Sequence, residues 1–241
     1  MMCCEVASLG SVCFTRWNIL KKIELPCLSS PFDNIENLSQ WQFDNIVEML
    51  HDDFRQICPD DLKYREHEGT ALDEHGNKRV FKGYAYTGKR LIQPVILAHF
   101  FDRTSSHEEG WDRWRHKCKG FKDALKDTGR RLVLVSLRLN RGDKKDTRER
   151  RAFIERSLKY MSMYLEDAFH RSPADLRILS IVAAGDADTV AVECDEPMYR
   201  QVVVPSGDED DVDYWKRKPR QEYIDIAKDY IEEFNKEQKE N

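Results

Sequence analysis

The sequence predicts an α/β fold, a three-layer sandwich built on a mixed, largely parallel sheet. Residues 131–138 and 176–183 are unbroken apolar runs of strand length, the pattern of strands covered on both faces. Between them Ile154, Leu158, Met161 and Leu165 recur at helical spacing. One long helix therefore joins the two runs as a parallel, right-handed crossover. Residues 6–9 form a shorter apolar run that Gly10 and Ser11 interrupt, and an amphipathic segment follows at once.

In chain order, residues 6–9 are the first strand. A helix follows to about Ile23, with Val12, Trp17, Leu20 and Ile23 on one side. Two prolines make residues 25–33 a turn-rich connection. The second helix spans 39–57, with Phe43, Ile46, Val47, Leu50, Phe54 and Ile57 in register, and Pro59 ends it. Residues 60–92 are polar, with glycines at 69, 76, 83 and 88, and read as a long excursion carrying short strands. Residues 94–102 read as a buried strand with His99 near its end. Trp114, Cys118, Phe121 and Leu125 mark a helix over 111–126. Beyond the strand at 131–138, a charged loop leads to a helix over 148–170. The strand at 176–183 and two shorter strands at 189–193 and 201–204, antiparallel at an edge, complete the sheet. Residues 207–213 are an acidic, exposed loop. The final segment, 221–236, is a charged helix with Tyr223, Ile226, Ala227, Tyr230 and Phe234 on one face, which packs on the sheet or meets a partner. The expected organisation is one α/β domain over 1–220 and a charged C-terminal helix over 221–241.

The chain of 241 residues is long enough for a real core, and 40% hydrophobic with 34% charged residues is the balance of a soluble globular protein. A net charge of −5 argues against bulk nucleic-acid binding. No apolar run reaches the roughly 18 residues that span a membrane, and the N-terminus has no secretory signature. The seven cysteines are scattered with no C-x-x-C pair, which speaks against a disulfide framework or a zinc ribbon. Reduced thiols suit a cytoplasmic location. The sequence holds no dinucleotide-binding glycine pattern, phosphate-loop motif or H-E-x-x-H, and residues 185–188 read as a turn and not a calcium loop. No cofactor or metal is expected, and no membrane or nucleic-acid partner. The oligomeric state is not legible. The basic run 138–151 is broken by acids and reads as a solvated loop, with a phosphate or anionic-sugar contact as the alternative.

Cys13 is the candidate nucleophile. It falls in the first turn of a helix just past the carboxyl end of a strand, where unpaired N–H groups and the helix dipole favour a thiolate. His99 stands in an apolar run, unlike the other histidines, and is the candidate base. Asp33 suits an orienting carboxylate, with Asp102 as the alternative. Backbone N–H groups around Ser8, Gly10 and Ser11 would bind the substrate or its oxyanion. The same residues have plainer roles: a packed thiol, a satisfied core histidine and a turn-capping aspartate. Two other functions stay open: an anion site at the loop 8–13 for a nucleotide, sugar or phosphate, and an interaction scaffold using the last helix.

Residues 6–13, Ser30 to Ile35, Asp52 to Phe54, Ala98 to Phe100, Trp114 to Phe121 and Leu132 to Val135 occur in an order that resembles a family of papain-like cysteine peptidases catalogued as a domain of unknown function. The resemblance covers roughly residues 5–184. It implies Cys13 as nucleophile, His99 as base and Asp33 as the third member. Ser30 and Asn34 stand where that family has Tyr and Trp. The resemblance also implies a papain-like α+β fold with an antiparallel sheet, against the parallel sheet that residues 131–183 predict.

Overall fold

The computed structural model describes residues 4–10, 15–36, 42–55, 57, 62–72, 78–86, 96–98, 107–138, 148–206 and 221–240. Their elements, in chain order, are β1 (Glu5–Ser8), β2 (Cys27–Leu28), β3 (Ile35–Glu36), α1 (Gln42–His51), β4 (Leu62–Leu72), β5 (Lys78–Tyr86), β6 (Ile96–Ala98), α2 (His107–Lys126), β7 (Leu132–Arg138), α3 (Arg148–Phe169), β8 (Leu176–Ala184), β9 (Ala191–Asp195), β10 (Tyr199–Pro205) and α4 (Gln221–Glu240). Short helical turns cover Thr15–Ile19, Leu20–Lys22 and Pro31–Asn34.

The main sheet has six strands in the order β2-β1-β7-β8-β10-β9. The first five are mutually parallel and β9 runs antiparallel at the edge. Residues alternate between two buried faces, which is why β7 and β8 read as continuous apolar runs. One face, with Ala7, Leu9, Leu132, Leu134, Leu176 and Ile178, packs under α1, α2 and α3. The other, with Val6, Val133, Val135, Leu179, Ile181 and Val202, packs against Ile19, Leu20 and the α4 side chains Tyr223, Tyr230 and Phe234. The fold is thus the α/β sandwich that the sequence predicts. Its largely parallel main sheet is at odds with the antiparallel sheet of the papain-like alternative. The segment 221–236 packs on the sheet: Phe234 is fully buried, the Arg131 guanidinium lies 3.8 Å over its ring, and the Tyr230 hydroxyl donates to the Ile178 carbonyl at 3.2 Å.

Several local expectations change. The helix expected to run to Ile23 is, over its described part, a wide π-type turn at Thr15–Ile19 and a 3-10 turn at Leu20–Lys22. The second helix stops at His51, well before Pro59. The backbone turns left-handed at Asp53 (φ 56°) and Phe54 (φ 59°), and the Phe54 N–H bonds the Met49 carbonyl at 2.7 Å. That strained turn inserts the Phe54 ring against Trp114 and Phe32, which repays it in aromatic packing. The polar excursion is a long antiparallel hairpin of β4 and β5. With β3 and β6 it forms a second sheet, in the order β3-β6-β5-β4. The strand leading to His99 is therefore only Ile96–Ala98 among the described residues, and it belongs to this antiparallel sheet and not to the main one. Of the two short strands expected at an edge, only β9 is antiparallel, because β10 pairs parallel to β8.

Candidate functional site

The strand order places a reversal between β1 and β7. The chain leaves β1 to reach β2 on one side and leaves β7 through α3 to reach β8 on the other. Right-handed crossovers in opposite directions put α3 on one face and the turns over 15–22 on the other. In open α/β sheets, ligands bind at the carboxyl ends of two such strands.

The carboxyl end of β1 is tightly bonded. Pairing with β7 continues beyond Ser8: Leu9 N–H bonds the Val135 carbonyl at 2.8 Å and Leu137 N–H bonds the Gly10 carbonyl at 3.1 Å. Gly10 turns at φ 87° with its N–H on the buried Ser8 Oγ at 3.0 Å. Thr15 Oγ1 donates to the Gly10 carbonyl at 3.0 Å. Gln42, from α1, spans the strand ends: its Nε2 donates to the Leu9 carbonyl and to Ser136 Oγ, each at 3.0 Å. Of the expected substrate-binding residues, Ser8 and Gly10 thus stand at the switch point. Ser11, Cys13, His99 and the alternative Asp102 lie outside the described residues.

Asp33 lies beside this loop in a short turn whose local sequence explains its shape. Ser30 Oγ accepts the Phe32 N–H at 3.1 Å, and Asp33 Oδ2 reaches back to the Ser30 N–H at 3.0 Å. This is a reciprocal capping box with Pro31 at the first helical position. Asp33 Oδ2 also pairs with Arg16, whose Nη1 donates to Ser29 Oγ at 2.9 Å, and the Lys117 ammonium of α2 lies 3.9 Å away. Arg16 follows the β1 loop and Ser29 follows β2, so this contact ties two neighbouring strand ends together. Asp33 is buried, and loss of solvent raises its carboxyl above the usual range despite Arg16 and Lys117. The same loss of solvent lowers the Lys117 ammonium and raises the Cys27 thiol. Among the described residues Asp33 Oδ1 accepts no hydrogen bond.

Sequence reasoning missed Arg16, Gln42 and Lys117, because each acts through a long side chain crossing to another element. The Ser30-Pro-Phe-Asp33 pattern did carry a legible signal, that of the capping box. The basic run is partly structural: Arg151 is buried and holds Asp186 and Glu193. Among the described residues no three His, Cys, Asp or Glu side chains gather as a metal would require, and no helix is long and apolar enough to cross a membrane. No family model, curated protein or solved structure matches this chain.

Proposed function

We propose that the chain is a cysteine-dependent hydrolase or acyl transferase whose site lies at the carboxyl ends of β1 and β7. The observation that carries this is the Thr15 Oγ1 to Gly10 carbonyl bond, which joins the residues on either side of 11–14, Cys13 among them in sequence, where the strand order reverses. In this mechanism Cys13 attacks a carbonyl carbon and His99 takes the thiol proton. Because the Gly10 N–H is engaged by Ser8, the oxyanion falls to the N–H groups of residues 11–13. Asp33 completes the set, its buried Oδ1 leaving an acceptor for an imidazole N–H. The described cysteines make poor nucleophiles: Cys4 is fully buried, and burial raises the thiols of Cys27, Cys118 and Cys194. Cleavage of peptides in particular rests on the papain-like motif order. A reducing, cytoplasmic setting fits the free thiols of Cys4, Cys27, Cys118 and Cys194.

A second function uses the same strand ends without covalent chemistry. Arg16, directly after the loop, and Lys117 place two cations beside it, which suits a phosphate or an anionic sugar. Iodoacetamide labelling of the native protein between pH 5 and 8 separates the two. The hydrolase reading expects Cys13 to label at least about tenfold faster than the other cysteines, with a midpoint below the usual thiol value of about 8.5. Equal labelling of all exposed cysteines, with anion binding retained in Cys13→Ser, would leave the non-covalent function.

A further inference from the structure

The sheet face under α1 and α3 turns polar toward the carboxyl ends of its strands. By register, Ser136 of β7 lies beside Ser180 of β8, and Ser180 beside Gln201 of β10. All three are buried among leucines and isoleucines of the same face. Gln42 reaches this row through Ser136 Oγ. Asn45 stands one helical turn further along α1, on the side that Gln42 presents to the sheet. It is 0% exposed, and among the described residues neither its Oδ1 nor its Nδ2 has a hydrogen-bond partner. Gln201 Oε1 is equally unpaired, although its Nε2 donates to Glu193 and to the Arg151 carbonyl.

A fully buried carboxamide with both ends unpaired is rare, because its lost hydration is not made good. A leucine of the same size would fill the place without that penalty. We infer that Asn45, with Gln42 one turn before it and the Ser136 that Gln42 holds, forms a binding site for a neutral carboxamide group. An amide offers one acceptor and two donors, which the edge of a second amide matches. The side chains that would meet the group, Gln42, Asn45 and Ser136, are uncharged; charge enters the same face only further on, at the buried Arg138, two residues beyond Ser136, and at Glu193, which accepts from Gln201 Nε2 and pairs with Arg151. Gln42 links this site to Leu9, at the carboxyl end of β1. On the hydrolase reading, which this inference deepens, the bound group is an amide of the substrate. The binding itself does not require Cys13.

Acetamide is the probe, with acetate as the charged control, added to the full-length 15N-labelled protein. The Asn45 side-chain NH2 pair is assigned by its absence in Asn45→Leu. The site predicts saturable shifts of that pair with acetamide, at least about tenfold weaker shifts with acetate, and loss of acetamide shifts at the Gln42 NH2 in Asn45→Leu. Asn45→Leu should match or exceed the wild-type Tm. An Asn45 pair that does not move with acetamide, or moves equally with acetate, overturns the site. The titration of the wild type decides this even if the variant folds poorly. Iodoacetamide labelling of Cys13 on the same sample reports separately on the nucleophile, so either idea can fail alone.

Discussion

At Gly10 the backbone takes φ 87°, where a Cβ would meet the neighbouring carbonyl. Gly10→Ala should cost about 1–2 kcal/mol and lower Tm by about 2–6 °C in a thermal melt. An unchanged Tm would mean that the loop tolerates another path. Asp33 offers a test with a definite sign. Its carboxyl is raised by burial, so over the range just above the ordinary carboxylate value the folded state binds more protons than the unfolded one. Stability from this group is present in acid and is lost as pH rises through the folded value. The urea midpoint of the wild type minus that of Asp33→Asn should therefore fall as pH rises from the ordinary carboxylate value. A difference that grows with pH would show that Arg16 dominates over burial. Both residues were prominent in the sequence for local reasons, a glycine after a strand and an Asp three residues past a Ser. Asn45 was not, because an unpaired amide is recognised only by what surrounds it.

Elements with strong periodicity were legible. β7, α3 and β8 fall within one residue of their expected ends, and α4 starts where expected and runs four residues further. The failures share a cause in tertiary contact. Nothing local forces α1 to stop at His51; the pull of Phe54 into the Trp114 and Phe32 cluster does. The region 60–92 looked like an excursion because an antiparallel hairpin buries at most one face of each strand and spreads polar residues along both. α4 has the most direct test. Tyr223, Tyr230 and Phe234 complete one side of the core, so Phe234→Ala should cost about 3–5 kcal/mol in chemical denaturation. Deleting residues 221–241 should abolish cooperative unfolding. A truncated chain that unfolds cooperatively and differs only in oligomeric state would instead support a helix that serves partners.

Across the whole molecule, the layered α/β class was legible because apolar strands alternate with amphipathic helices, whereas strand order was not. That β1 pairs with β7, more than a hundred residues away, decides where the winding reverses, and no local pattern encodes it. The placement of the candidate site residues was half legible for the same reason. Ser8 and Gly10 were singled out from the strand–glycine break, and the strand order sets them where the winding reverses. His99 was expected at the end of a strand of the same sheet, yet its strand joins β3 and β5 in the second sheet. Whether the second sheet delivers His99 to the β1 loop is the central question, and a crystal structure answers it by one distance. The account predicts that Cys13 Sγ and a ring nitrogen of His99 lie within about 4 Å of each other. A separation beyond about 8 Å, with no movement of either segment on ligand binding, would contradict it.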